Sequence, residues 1–532
     1  MGENYPYRVG RRDFLRLAVG GAAAAWAAAC APAQQPGAAT GATQAPQAVK
    51  APAGKNDLIV AQGGDLSKLD PHMSTSVNDI TVTFNVFDNL VFRDRDNKLQ
   101  PMLATEWKLL NNTTWQFKLR QGVKFHNGDP FTARDVKFSI ERTYDPNEKT
   151  LVATVFTTVD RIEIVDDYTV NFITKAPDPL LPARLAFYGG QIIPEKYYKQ
   201  VGPDQFNLRP VGAGPLRFVE WVKDDRAVFE AFSDYWGGKI DVDRVIFRPL
   251  PEPAARVGAL LNGSVDIITK LPPDLIDQVQ KSGRHRVEST LYAGLYVLAV
   301  NSKVKPLDNP LVKQALSLAI DRKAIIDELW KGQGIIPNGP IAKGDFAYPE
   351  DLPPLEYNPS KAKDKLRQAG YNNEEIYIET TQGYLANDRQ MSEAIAQMWK
   401  DVGINVKVEL IEYSVRAQKN RDKTFKGLWW SDPTSTLGDP DGMMWRLLGP
   451  GGPQDYWRHP RFDELGNLAR YELDPEKRRQ YYREMTMIFL EHLPWIPVIQ
   501  PYESYGVVNY VEWKPYQNQY FDVRRYNLKL VR

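Results

Sequence analysis

Cysteine is almost missing from this sequence: Cys30 is the only one in 532 residues. An intrachain disulfide is therefore excluded, and so are cysteine-rich metal sites and a thiolate nucleophile in the body of the chain. Stability must come from packing. Histidine is scarce too. His72, His126, His285, His459 and His492 are scattered without the spacing of a metal cluster. No excess of one charge exists either, with 67 basic against 66 acidic residues. Such a balance produces no global field for nucleic acid or acidic membranes. Beyond residue 30 no run is apolar and long enough to span about 30 Å of hydrocarbon. Neither a Gly-x-x-x-x-Gly-Lys phosphate cradle nor a Gly-x-Ser-x-Gly elbow occurs. No metal and no cofactor are expected.

What is present starts at the N-terminus. Arg11 and Arg12 precede a short Ala- and Gly-rich apolar run that ends at Cys30. Paired arginines, a brief hydrophobic segment and small residues before a cut point read as an export signal, and the arginine pair points to the twin-arginine route. The segment resembles a lipoprotein signal, with Cys30 the lipidated residue, although Gly10 and Ala27 depart from the usual pattern. Residues 31–55 are nearly all Ala, Pro, Gln, Gly and Thr. They bury too little to offset their ordering entropy and are expected to form a disordered tether. After removal of residues 1–29, 63 basic and 64 acidic residues remain. Membrane anchoring would then come from acyl chains on Cys30, of which two or more make binding stable.

Almost 480 residues follow the tether, more than one core usually supports, so two or more domains are expected. Strands are read at 58–61, 114–119, 216–221, 227–231, 245–248, 266–268, 296–300 and 404–411, with two more inside 161–174. Helices are read at 79–90, 253–262, 273–281, 309–319, 360–369, 392–401 and 474–490. Thr132 is placed as the cap of a further helix, with Asp135 near its third position. The last 40 residues read as short strands. This alternation predicts an α/β fold.

Several segments then point to one family. In order they are Leu69-Asp-Pro-His72, Leu103-Ala-Thr-Glu-Trp107, the long stretch from Trp115 to Val136, Gly212-Ala-Gly-Pro215, Asn301 with Val312 to Arg322, and Gly438-Asp-Pro-Asp441. With them the chain, from about Leu58 onward, resembles the family 5 extracellular solute-binding proteins. These are dipeptide-, oligopeptide- and nickel-binding receptors of ABC importers. The resemblance implies a two-lobed periplasmic-binding-protein-like clamshell. Lobe one would be residues 56–97, 208–299 and 494–532, with a subdomain inserted at 98–207. Lobe two would be residues 300–493. The chain would cross near Val300 and near Leu493-Pro494. It also implies a monomer that hands its ligand unaltered to a permease and ATPase made of other chains.

Site residues follow from the same resemblance. Family members use a Gly-Trp-x-x-Asp segment, here Leu428 to Asp432, for stacking and for an ammonium. Asp432 would meet a ligand cation, Trp429 would cover an apolar group, and Trp430 is a further aromatic. Thr75 and Val77 follow the Leu-Asp-Pro-His motif. Thr269 and Lys270 follow a strand, and Lys270 would meet a carboxylate. Gly294 and Tyr296 precede Asn301. A peptide ligand is expected, with oligosaccharide as the alternative on the strength of 13 tryptophans. A secreted hydrolase is the remote alternative. Its only support is export plus the paired acids Asp439 and Asp441, and that turn occurs in receptors that catalyse nothing. No enzyme is expected.

Overall fold

The computed structural model describes residues 56–531. Arg11, Arg12, Cys30 and the tether up to residue 55 lie outside the described residues. Twelve strands make one continuous mixed sheet around a central strand, Trp495–Val508. The C-terminal region was expected to hold only short strands, so this 14-residue strand is a correction. Its length goes with burial on both sides, which erases the apolar alternation a half-exposed strand would show. Pro497 and Pro501 also read as breakers. Pro497 is accommodated where the register with Tyr296–Val300 shifts, since proline brings no N–H to the ladder.

The first part of Trp495–Val508 pairs with Tyr296–Val300, and outward from there come Leu428–Ser431, Ile376–Thr380 and Val406–Leu410. Its second part pairs with His285–Leu291 and Ile267–Ile268, followed by Asp57–Gln62, Arg244–Pro249, Arg226–Ala231 and Leu216–Val222. The two halves of the sheet belong to two lobes. One lobe packs Leu298, Leu316, Ile395 and Trp399 into one core and Trp445, Phe462, Tyr482 and Trp495 into another. The other lobe buries Val60, Phe229, Phe247, Trp513 and Phe521. A third body has its own core, including Phe117, Phe125, Phe131 and Phe172, beneath a four-stranded antiparallel sheet. Truncating one such buried aromatic to alanine costs about 3–5 kcal/mol.

Strand pairing puts the crossings elsewhere than Val300 and Leu493-Pro494. Tyr296–Val300 already pairs with Leu428–Ser431, and Trp495 to Ile499 pair with it. The chain therefore passes between lobes around Tyr292 to Leu295 and around Gln500-Pro501. Gln500 ties these crossings together. Its Nε2 donates to Tyr292 O (2.8 Å), its Oε1 accepts from Lys343 N (2.8 Å), and Tyr292 N donates to Pro501 O (2.9 Å).

Local signals were obeyed where they were strong. Thr132 and Asp135 form a reciprocal capping box at Ala133–Tyr144. Pro359–Ala369 ends at Gly370 in the left-handed region. The helix expected at 392–401 instead starts at Asp388, whose carboxylate accepts from Thr381 Oγ1 and from the N–H groups of Gly383 and Tyr384. The helix expected at 79–90 is Val77–Val86, and that at 273–281 divides into Pro273–Leu275 and Ile276–Gln280.

The lobes also touch away from the crossings. Arg93 ends the strand Val91–Arg93 and donates from Nη2 to Leu437 O (2.6 Å) and from Nη1 to Asn97 O (2.8 Å). Asn97 Nδ2 donates to Gly344 O (2.8 Å). Gly438, at φ +64°, lets these groups approach, since a Cβ there would lie 2.6 Å from Arg93 Nη1. Asp345 is buried at this contact, and desolvation pushes its carboxyl up to about 7. Asp439 adds to the rise, while Ser435, Arg93 and Asn97 oppose it. A carboxyl that keeps its proton to about 7 when folded, but loses it near 4 when unfolded, favours the fold at low pH. Its contribution is lost as pH rises from about 4 to about 7, at up to ~1.4 kcal/mol per pH unit. Urea unfolding at several pH values should show that fall in the wild type and a flatter profile in Asp345→Asn. Superimposable profiles would show that Asp345 titrates normally.

Candidate functional site

Asp432 lies just after the strand Leu428–Ser431, in the turn Asp432-Pro433-Thr434 that faces the crossing segment. Tyr384 donates its hydroxyl to Asp432 Oδ1. Arg416 lies over the Tyr384 ring, 3.4 Å from its centroid, and donates from Nη2 to Trp430 O (3.0 Å). Its Nε has no partner among the described residues. Asp432 itself has no ion-pair partner within 4 Å among the described residues, although Arg416 acts on it from a distance. Desolvation raises the carboxyl above its ordinary value, while the Tyr384 hydrogen bond and Arg416 lower it. A half-buried carboxylate without a bound cation is held at a cost that an incoming cation would relieve.

The crossing segment supplies the adjoining wall. The Tyr292 hydroxyl bonds Thr434 Oγ1 (3.0 Å), and its ring meets Tyr296 edge-on at 6.2 Å. Tyr296 in turn packs edge-on against Trp330. Burial, then Asp432, then other nearby acids raise both phenols, Glu503 acting on each. Both tyrosines thus feel the charge of Asp432 of one lobe and of Glu503 of the other. Gly294 has a different task. Its backbone bridges Thr434, and a Cβ would sit 2.8 Å from Pro433 O, so glycine is required for the turn to pack this closely.

On the opposite lobe, Val77, Thr269 and Lys270 line one small recess together with Gln62, Glu503 and Gln519. Burial raises the Glu503 carboxyl, against the pull of Lys270 and a hydrogen bond from Gln519. Lys270 is exposed and takes φ +51°. Thr75 is exposed just ahead of the helix Val77–Val86 and does not line that recess.

The two indoles are covered by protein. Trp429 is stacked on Phe425 with centroids 4.2 Å apart, and Trp430 donates from Nε1 to Ser392 Oγ (2.7 Å). Each is 1% exposed, and they fall in different cores because neighbours on a strand face opposite ways. In this structure both pack the lobe, Trp429, the indole expected to cover an apolar ligand group, as fully as Trp430. Asp439 and Asp441 are likewise occupied. Arg478 holds Asp439 through two bonds, and Arg470 reaches Asp441. His72 and His126 are buried against the carbonyl oxygens of Gln191 and Gly214, and burial pushes each imidazole down to about 4. No group of three metal-ligating side chains occurs among the described residues.

Tyr384, Arg416, Tyr292, Glu503 and Gln519 were missed by sequence reasoning. Arg416 carried one signal: its helix, Tyr413–Asp422, has no buried face, so its residues are not there to fill a core. The others follow no pattern.

A second concavity, of about 530 Å³, lies between the four-stranded subdomain and the lobe that holds Asp432. Arg184, Tyr188, Thr436, Asp441, Arg446 and Arg470 are among the residues that line it.

Comparison with known proteins fits this architecture. The profile of the "Bacterial extracellular solute-binding proteins, family 5 Middle" matches residues 98–455. Heme-binding protein A of Haemophilus influenzae is 30% identical over 84% of this chain and 85% of its own. Glutathione-binding protein GsiB of Pectobacterium atrosepticum is 28% identical over 83% of this chain and 88% of its own. The periplasmic binding protein DppA of Helicobacter pylori, solved with the peptide STSA, superimposes with a TM-score of 0.74 at 26% identity, over 90% of this chain and 98% of that one. The two lobes joined through one strand, the matched motifs and these relatives lead to one conclusion: the chain belongs to the bacterial extracellular solute-binding proteins of family 5.

Proposed function

We propose that this protein is the substrate-binding lipoprotein of an ABC importer and that it takes a short peptide between its lobes. The observation that carries the ligand class is Asp432, a half-buried carboxylate with a neutral donor, Tyr384, but no ion-pair partner within reach. A peptide ammonium supplies the missing cation, and a charge-assisted hydrogen bond of this kind is worth about 1.5–3 kcal/mol. Relatives named for glutathione and crystallised with a peptide support the same class. Another relative is named for heme, but the recesses described above are lined by no histidine. An oligosaccharide would leave Asp432 uncompensated. Val77, Thr269, Lys270 and Tyr296 would complete the walls. Thr75 would join only at the rim.

Binding would proceed by population shift. Ligand that contacts both lobes favours the closed form, and moving from 1:99 to 99:1 needs about 5.5 kcal/mol of differential affinity. The closed form would then dock on a permease driven by an ATPase, both separate chains. The reading is of a monomeric receptor, not an enzyme, since Asp439 and Asp441 are committed to arginines. Among the described residues no helix is long and apolar enough to cross a membrane, so surface retention would depend on lipid at Cys30, after export through Arg11 and Arg12.

Two measurements test this. Calorimetry of Asp432→Asn should show affinity for an unblocked peptide reduced about 10- to 100-fold, with N-acetylated peptides bound weakly by both proteins. Equal affinity for acetylated and free peptides would remove the ammonium assignment. Cell fractionation of Cys30→Ser should move the protein from the membrane to the soluble exported fraction. Unchanged membrane retention would count against lipidation.

A further inference from the structure

We propose that a basic face of the lobe built around Trp513 and Phe521, where the chain enters the folded body at Asn56, docks on the anionic headgroups of the membrane that holds the lipid on Cys30. This rests on the lipoprotein reading above and adds the protein surface that meets the bilayer. Asn56 lines a broad hollow of about 920 Å³ together with Lys239, Arg525, Tyr526 and Lys529. A second hollow, of about 510 Å³, adjoins it. Tyr526 and Lys529 line both, and Arg95, Arg286 and Lys514 enter in the second. The face is therefore continuous. Over the two hollows six cations meet four acids, Asp241, Asp243, Glu288 and Glu512. Residues 30–532 as a whole show no such excess, with 63 basic against 64 acidic residues.

Most of these cations are uncommitted. Lys239, Arg525, Lys529 and Arg95 are exposed and have no hydrogen-bond or ion-pair partner among the described residues. Only Arg286 and Lys514 are paired, both with Glu288 (2.7 and 2.6 Å). Arg525 runs beside Gly238, where a Cβ would lie 3.3 Å from its Nη1, so it stands next to Lys239. Tyr526 is 56% exposed where the hollows meet, and Val531, next to the lining Leu530, is 57% exposed. Cations around an open phenol and an open aliphatic side chain suit the boundary of headgroup and acyl chain, where amines meet phosphates and the ring has one wet end. The tether extends the pattern. Residues 31–55 hold Lys50 and Lys55 and no acid, so positive charge continues from this face toward Cys30. A coil of those 25 residues reaches ~25–30 Å, which permits contact, while the attraction itself acts within about 8 Å at physiological salt. None of Tyr292, Tyr384, Arg416 and Asp432 lines either hollow, so docking leaves the ligand site free.

The test uses the exported chain, residues 30–532, with Cys30→Ser so that no acyl chain takes part. It is sedimented with vesicles of phosphatidylcholine alone or of equal parts phosphatidylcholine and phosphatidylglycerol. Binding to the anionic vesicles should exceed binding to the neutral ones at least about tenfold and fall steeply as salt is raised. Lys239→Glu, Arg525→Glu and Lys529→Glu together should reduce it at least about tenfold while the melting temperature is kept. An equal reversal on the helix Pro359–Ala369 of the other lobe, Lys361→Glu, Lys363→Glu and Lys365→Glu, should leave it within about twofold. Equal binding to both vesicles, or binding to neither, overturns the proposal. So does an equal loss in both variants, which assigns the attraction to total charge. If neither vesicle binds but the first reversal lowers solute uptake by cells, the face serves the permease and the proposal falls. The comparison of anionic with neutral vesicles needs no charge reversal, so a misfolded variant does not blunt it. Because the acyl chain is absent, failure of this face leaves the lipidation reading standing, and failure of lipidation leaves a vesicle-binding face standing.

Discussion

One strand, Trp495–Val508, is hydrogen-bonded to both lobes, and the rest of the architecture depends on that sharing. Separate cores on either side make each half rigid. The strand makes relative motion of the halves a bend in one sheet rather than a slide between two surfaces. Its second tie, through Gln500 to Tyr292 and Lys343, means that both chain crossings must move together. Close packing inside each lobe resists deformation, so strain from a ligand is directed to this junction.

The same junction sets the chemistry of the cleft. Tyr292 and Tyr296 leave the crossing together, edge-on to each other, and Tyr292 bonds Thr434 of the turn that carries Asp432, so the hinge segment supplies the aromatic wall. Arg416 is turned toward the Tyr384 ring and a backbone carbonyl instead of toward Asp432. That leaves negative charge near the hinge. Arg446, farther along the same lobe, leaves positive charge at the subdomain boundary. Contacts such as Arg93 to Leu437 O also bridge the lobes outside this charged region.

Legibility from sequence was uneven for physical reasons. The strand Tyr296–Val300 and the cap at Thr132 were read directly, because turn chemistry and capping act within a few residues. The long C-terminal strand was not, because burial on both faces erases alternation and its two prolines read as breaks. Asp432 was found through the family pattern. Trp429 was drawn to the ligand by the same pattern, yet the structure buries it in one core and its neighbour Trp430 in another. An indole's sequence position does not say which of its neighbours covers it.

By itself the sequence determined the α/β class, the division into more than one body, and the family motifs. Each of these is written in local periodicity or in contiguous residues, whose effect reaches only a turn or two along the chain. Tertiary structure alone decided where the chain crosses between lobes, which charges are neutralised and which are left open. Asp432, Tyr384, Arg416 and Arg446 are separated by up to 62 residues, and their ionisation depends on desolvation and on partners that only folding brings near.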